Sequence, residues 1–335
     1  MLAQGVRNRK QRMVLSIREI AASPPVNSAW ALPPLRHDIK PACLTDLLQQ
    51  IPEFQRALFP NSRRAVTQIN RALKAGRFIP ASDDTRRGSL YSSVALAVDR
   101  GALSLAGHDI TTRAIQHLES CGGKSAKLAS ALKVYSPVTQ DILESRDAVG
   151  WLYILGRLEP VIRGFRPISD IDLHALPNRL TKSAVRTWLA GAVPIAIGNE
   201  IVQLLRNVQS LQLSGRFFPN PVFGGIGAAM GSDGDWIAGD TLVELKCTLS
   251  GVKREHIVQI ICYAALSQQP YVAAKIPPFT NLAICLPRQS AIIVGTIEDW
   301  MTTCGAPSSG VVFDAILHYF GQWDEDEFHS RRHTV

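Results

Sequence analysis

The sequence predicts an α/β protein: a mainly helical, basic N-terminal region followed by a part in which strands and helices alternate. Three observations lead there. Apolar residues over 44–208 recur mostly three and four apart, the spacing of a buried helical face. From residue 215 the pattern becomes strand-like, in short segments bounded by glycine turns. A further helical stretch then parts the strands at 235–246 from those at 281–297.

The composition bounds the rest. The 335 residues leave room for two domains, and 46% hydrophobic with 19% charged residues is ordinary for a soluble globular chain. There is no run of about 18 apolar residues, so no membrane span is expected. The first residues are basic but lack the apolar core and cleavage site of a secretory signal. Six scattered cysteines form no C-x-x-C pair, which argues against zinc ribbons and redox dithiols and for a reducing, cytoplasmic setting. The net charge of +8 is uneven: residues 1–150 carry 21 Lys and Arg against 12 Asp and Glu, whereas 151–335 carry 15 against 16. A polyanionic partner would gain from that field, although a solvated basic surface accounts for it equally well.

Taken in order, residues 1–40 are irregular beyond their first turns, because Pro24, Pro25, Pro33 and Pro34 forbid a continuous helix. Residues 44–79 read as two helices divided at Pro60-Asn61-Ser62, with Pro52 breaking the first, Asn61 or Ser62 capping the second and Pro80 ending it. The second carries Arg63, Arg64, Arg71, Lys74 and Arg77, which suits a DNA-binding helix and equally a solvated one. Helices follow at 89–101, 112–121, 126–134 and 139–158, the last stopping before Pro160. Gly123-Lys124-Ser125 has the tail of a phosphate loop, but a helix precedes it and Leu118 stands where the first glycine belongs, so a helix cap is expected instead. Residues 167–180 read as a linker. The expected division is a helical region 1–178, a second domain 179–322 and a charged tail 323–335. Residues 181–208 form a long helix, capped by Thr181 and kinked or divided by Pro194.

The chemistry gathers in residues 231–263. After a strand or bulged strand at 220–229, Asp235-Trp236-Ile237-Ala238 and Thr241-Leu242-Val243-Glu244-Leu245-Lys246 are strands joined by a Gly239-Asp240 hairpin turn. Alternation puts Glu244 and Lys246 on one face with Leu242 behind them, and turns Val243 and Leu245 to the other. A two-residue turn pairs Ala238 with Thr241, and therefore Asp235 with Glu244. Two carboxylates and an ammonium thus converge, an arrangement that must be solvated, paired or bound to a cation. Magnesium favours carboxylate oxygens and can activate water at a phosphodiester, and Lys246 is placed to orient that water or to steady developing charge. Downstream, after Ser250-Gly251, a helix carries Gln259 and Tyr263 on one face, with His256 close to it. Taken singly, an E-x-K tripeptide is a surface ion pair, Gln259 a buried amide and Tyr263 a core aromatic. The weight lies in the set.

Asp235, Glu244-Leu245-Lys246 and Gln259-x-x-x-Tyr263 together resemble the RecB-like branch of the PD-(D/E)xK nuclease superfamily. The stretch also resembles uncharacterised bacterial proteins with this core, and the likeness covers about residues 195–300. It implies a mixed central sheet flanked by helices, a restriction-endonuclease-like core. It further implies Mg²⁺ ligands at Asp235, Glu244 and the Leu245 backbone carbonyl, a catalytic Lys246, and accessory roles for Gln259 and Tyr263. Glu200 fits the acidic position that the family often has on a preceding helix. The usual proline before the aspartate is absent, Gly234 standing there, and Asp233 competes with Asp235 for the ligand role. Asp240 is expected to be a turn former.

The expected function is therefore a Mg²⁺-dependent nuclease, with Mn²⁺ able to substitute, acting on nucleic acid, DNA ahead of RNA. Restriction, phage defence and repair are its natural settings, and any ATPase or targeting activity would come from a protein partner, since the chain has no such motif. The alternative is a binding module on a nuclease-like core, without turnover. Arg288, between the strands at 281–286 and 291–297, reads as a solvated turn residue within reach of a phosphate. Helices at 298–303 and 311–320 complete the prediction.

Overall fold

A computed structural model describes residues 13–20, 32–33, 42–87, 90–137, 142–162, 175–211 and 215–322. Of the stretch 1–40, expected to be irregular, residues 13–20 instead form a strand and a short helix, because Met13–Ser16 pairs with the sheet. The rest of it apart from 32–33, most of the expected linker and the charged tail lie outside the described residues.

The centre is a six-stranded mixed sheet. Its strands are β1 (Met13–Ser16), β3 (Phe217–Pro219), β5 (Trp236–Ala238), β6 (Thr241–Leu245), β7 (Asn281–Leu286) and β8 (Ala291–Thr296), in the order β1-β8-β7-β6-β5-β3. β1 runs parallel to β8 and β6 parallel to β7, while the remaining pairs are antiparallel. Two short strands, β2 (Ala42–Cys43) and β4 (Ala229–Met230), form a separate parallel pair. The β5–β6 hairpin turns at Gly239, whose φ of 60° suits a residue without a side chain. Its register pairs Ala238 with Thr241 and Trp236 with Val243, as alternation predicts.

Both faces of the sheet are covered, which explains why β7 is apolar at almost every position. One cover contains α1 (Ile17–Ile20), α2 (Leu44–Gln50), α3 (Pro52–Leu58), α4 (Ser62–Leu73), α12 (Arg254–Leu266), α14 (Ile297–Cys304) and α15 (Ser309–Gly321). Leu47, Phe54 and Ile69 join Leu242, Ile284, Ile260 and Phe320 in its core. The fully buried Trp300 donates its Nε1–H to the Leu282 carbonyl at 3.1 Å. The other cover is built from α6 (Tyr91–Leu105), α7 (Thr112–Cys121), α8 (Gly123–Val134), α9 (Arg146–Ile162), α10 (Lys182–Ala192) and α11 (Ile195–Ser210). Here Val94, Trp151, Leu189 and Ile201 meet Trp236, Val243, Cys285 and Ile292. The short α5 (Asp83–Arg87) and α13 (Pro270–Ala273) complete the helices among the described residues.

These two cores do not divide at residue 178. Helices from both sides of that position share the second core with the sheet, and residues 44–73 lie in the first. The reason is physical: a sheet apolar on both faces needs two covers, and the helices before it supply most of them.

Several local expectations change. Residues 220–228 are irregular, with φ of 43° at Asn220, 67° at Gly224 and 50° at Gly227, and the strand pairing moves upstream to β3. Pro52 starts α3, as expected of a first-turn proline. Asn61 precedes α4 without a side-chain capping bond, and α4 ends at Leu73, well before Pro80. Pro160 lies in the last turn of α9 instead of beyond it. Gly122, at φ 67°, closes α7, and α8 starts at Gly123 with no strand before it, so residues 121–125 are a helix junction. Thr181 caps α10 by accepting the Ala184 N–H, and α10 and α11 meet at a bend of 92° beside Pro194. No single helix among the described residues is long and apolar enough to cross a membrane.

Close approach within the second cover depends on α9. A Cβ on Gly150 would stand 1.9 Å from the Leu189 carbonyl oxygen, and one on Gly156 would stand 2.5 Å from that of Ser93. By contrast, a Cβ on Gly191 of α10 meets nothing within 4 Å. Gly150→Ala is expected to lower unfolding free energy by about 2 kcal/mol or more through overpacking. Gly191→Ala should leave it unchanged or raise it by about 0.5 kcal/mol through helix propensity. Urea denaturation of both variants checks the contrast.

Candidate active site

The candidate site lies where β6 ends. Because Trp236 pairs with Val243, the residue before β5 is carried opposite Glu244. That residue is Asp235, whose Oδ2 accepts the Leu245 N–H at 2.5 Å. Glu244 points to the α12 face and is 4% exposed. Its Oε1 accepts a hydrogen bond from Lys246 Nζ at 2.6 Å, whereas its Oε2 is buried without a hydrogen-bond partner.

α12 supplies the next layer. Lys246 Nζ also donates to Gln259 Oε1 at 3.0 Å. The Gln259 amide nitrogen donates to the Tyr263 hydroxyl at 2.8 Å and to Thr45 Oγ1 of α2 at 3.0 Å. The Tyr263 ring stacks on Phe223 with centroids 4.8 Å apart. The four-residue spacing of Gln259 and Tyr263 thus becomes one hydrogen-bonded chain running from Glu244 through Lys246 into two helices. His256 stands at the start of α12, where its Nδ1 accepts the Lys253 N–H at 3.2 Å. Burial, with Lys246 and Lys253 nearby, brings its pKa down to about 3, so it is a neutral helix cap near pH 7.

A cleft of about 210 Å³ opens beside these groups, and Lys246 and His256 are not among the residues that line it. Asp235, Glu244, Gln259 and Tyr263 line it together with residues that sequence reasoning missed: Thr45 of α2, Asp99 and Arg100 of α6, and Asn220 of the irregular segment. Arg100 is anchored to Glu159 at 2.6 Å. A signal for α6 existed in the sequence, because Asp99 and Arg100 are the only charged residues in that otherwise apolar helix. A larger cavity, about 340 Å³, surrounds the α10–α11 elbow between Val193 and Arg206 and contains none of the predicted residues.

Electrostatics set the protonation states. Burial, reinforced by Glu244 and Asp99, pushes the Asp235 carboxyl well above the usual carboxylate range. For Lys246, burial alone would lower the pKa, but Glu244 and Asp235 outweigh it and raise the ammonium above its ordinary value. Lys246 is therefore a cation at any physiological pH. Burial and the Glu244 charge also raise Tyr263 well above an ordinary phenol, which keeps it neutral.

Two sequence expectations are corrected. Glu200 does not line the cleft. One carboxylate oxygen pairs with Arg288, and the other accepts from Ser82 N at 2.8 Å and Thr85 Oγ1 at 2.7 Å. Arg288 is neither solvated nor within reach of a substrate: it is fully buried, and its Nε donates to the Cys247 carbonyl at 2.9 Å. Apolar cover on both sides of the sheet turns this pair inward, where it holds the segment after Lys246 in place. Asp233 lines the same cleft as Asp235 but is exposed, whereas Asp235 contacts the strand that carries Glu244. Asp240 lies in the hairpin turn and accepts from Asn281 Nδ2 at 3.0 Å.

Among the described residues no group of three or more His, Cys, Asp and Glu is arranged to hold a metal ion. The donors here are two carboxylates. One has a buried, unpartnered oxygen and the other is driven toward protonation by burial, reinforced by its neighbour. An all-oxygen set this small fits a hard cation that keeps most of its waters. No protein-family model matches the chain, and neither a curated protein nor a solved structure does.

A stability consequence follows from the carboxylate pair. The folded-state pKa of Asp235 lies above its unfolded value, so ionising it opposes folding. That penalty is absent below about pH 4, the unfolded carboxylate range, and grows as pH rises toward the folded pKa. In EDTA, Asp235→Asn should therefore melt higher than the native chain at pH 8, and the difference should vanish near pH 4. Millimolar Mg²⁺ should raise the melting temperature of the native protein and leave Glu244→Ala unmoved. Differential scanning fluorimetry across pH reads both effects.

Proposed function

We propose that the protein is a Mg²⁺-dependent nuclease that hydrolyses phosphodiester bonds, of DNA ahead of RNA, on a restriction-endonuclease-like core. The observation that carries this reading is the convergence of Asp235, Glu244, Lys246 and Gln259 at the end of β6, with Glu244 Oε2 buried and unpartnered in the cleft. Further support comes from the mixed sheet flanked by helices and from the place of Gln259 and Tyr263 on the helix that follows the Glu-x-Lys strand, as the resemblance implies.

Asp235 and Glu244 would hold the cation, and the Leu245 carbonyl is the further ligand that the resemblance implies. When bound, Mg²⁺ supplies positive charge at the phosphate and lowers the pKa of the water it holds. The chain's own contribution is positioning and charge. Lys246 stays protonated, so it is not a general base; it stabilises negative charge on the phosphate oxygens in the transition state and orients the attacking water. Gln259 fixes the ammonium, and Tyr263 and Thr45 fix Gln259, so the charge is aimed before substrate arrives. Arg100, held by Glu159 at the cleft wall, contributes positive charge to the phosphate on the α6 side.

The test is a cleavage assay on end-labelled duplex DNA, single-stranded DNA and RNA, with Mg²⁺ or Mn²⁺. Cleavage should require the divalent ion. Lys246→Ala and Glu244→Ala should each lower the rate by about 100-fold or more, the range for losing preorganised charge stabilisation. Gln259→Ala should cost about tenfold, as expected of a positioning residue. Absence of cleavage with every substrate and ion would sink the enzyme reading, and undiminished cleavage by Lys246→Ala would sink the assignment of the site.

A further inference from the structure

Between Pro60 and Ser82 the chain carries Arg63, Arg64, Arg71, Lys74 and Arg77 and no Asp or Glu. All five cations are exposed, and none forms an ion pair with another described residue. The opposite side of α4 is apolar: Ala65, Ile69 and Leu73 are buried in the first core. The helix is therefore fixed by one face and presents unneutralised charge on the other. Arg71 and Lys74 suit the C-terminal end of the helix dipole, whereas Arg63 and Arg64 stand at its N-terminal end, where positive charge is unfavourable to the helix.

The position of α4 connects this stripe to the cleft. Asn70 exchanges two hydrogen bonds with Val252, its Nδ2 donating to the carbonyl and its Oδ1 accepting the N–H, both at 2.9 Å. At the start of α4, Ser62 Oγ accepts from Arg254 Nε at 2.7 Å. Beyond the end of α4, Ile79 N donates to the Arg288 carbonyl at 2.7 Å, and Gln289 in turn donates to the Thr248 carbonyl at 3.1 Å. α4 and residues 74–79 are thus stitched to the loops that leave β6 and β7. The first of these loops begins immediately after Lys246.

From these contacts we propose that α4 is a phosphate rail: its exposed cations bind the sugar-phosphate backbone of duplex nucleic acid beside the cleft. Arg63 and Lys74 stand about 16 Å apart at 1.5 Å per residue, enough to meet several phosphates. The exposed face of α4 offers Arg63, Arg64, Thr67 and Arg71 and no aromatic ring, and the stretch beyond it adds a single exposed ring, Phe78, whereas single-strand binders interleave cations with successive stacking platforms. The proposal rests on the nuclease reading for its choice of a nucleic-acid ligand, but its test needs no turnover.

Binding is measured by fluorescence anisotropy in EDTA, using the Lys246→Ala protein and a fluorescein-labelled mixed-sequence DNA duplex of about 20 base pairs, with its single strand in parallel. The parent should prefer the duplex, with log K falling linearly against log salt. Changing Arg63, Arg64, Arg71 and Lys74 together to Gln should weaken duplex binding at least about tenfold at low salt and flatten the slope by about 3. The paired variants R63Q/R64Q and R71Q/K74Q should each show about half of that flattening, which keeps the test open if the fourfold variant fails to fold. Unchanged affinity and slope in folded variants would overturn the rail, and preferred single-strand binding would overturn the duplex assignment. A rail that holds in a protein that cuts nothing would fault the nuclease reading alone, and cleavage by a protein whose rail variants bind normally would fault the rail alone.

Discussion

The ammonium of Lys246 is the interaction on which the site depends. It sits between Glu244 and Gln259 at the end of a strand buried on both faces. Bringing a cation and two carboxylates into such a place is costly, and their mutual attraction repays the cost only when geometry and hydrogen bonds are right. Here the balance is incomplete: Glu244 keeps one buried oxygen unpartnered, and burial drives Asp235 toward protonation. Perturbed carboxylates of this kind occur at functional sites and in structural ion-pair networks alike.

Everything around the ammonium serves to hold it. α12 presents Gln259 because the loop after β6 is pinned, on one side by Asn70 through Val252 and on the other by the buried Arg288–Glu200 pair through Cys247. Removing either partner of that buried pair would strand an uncompensated charge at a cost of about 3–5 kcal/mol. Glu200 therefore acts on the site at one remove, through the backbone that follows Lys246. α2 adds Thr45, and α6 adds Asp99 and Arg100. The helices before the sheet are both its covers and the walls of the cleft.

Much of the C-terminal half was legible in advance. Strand alternation alone put Glu244 and Lys246 on one face, and the hairpin register brought Asp235 opposite Glu244, because both follow from periodicity and a two-residue turn. Gln259 and Tyr263 emerged from helical spacing in the same way. Less was legible where a residue's fate depended on distant partners. Arg288 in a turn looks solvated until Glu200, from a helix eighty-eight positions earlier, is seen to meet it in the interior. Residues 220–228 look like a strand until their left-handed glycines and Asn220 are seen to bend them around the cleft.

Local pattern, then, was sufficient for the class of the fold, the hairpin, the helix with its Gln and Tyr, and the identity of the charged cluster, since each is set by neighbours within a few turns of chain. Tertiary structure decided how the two covers share the sheet without dividing at residue 178, that α6 closes the cleft, that Glu200 is a buried pin, and that the basic α4 borders the loop leaving Lys246. Those outcomes depend on which faces find one another across long separations in sequence. Burial and the pairing of buried charge select them, and neither is written in local periodicity.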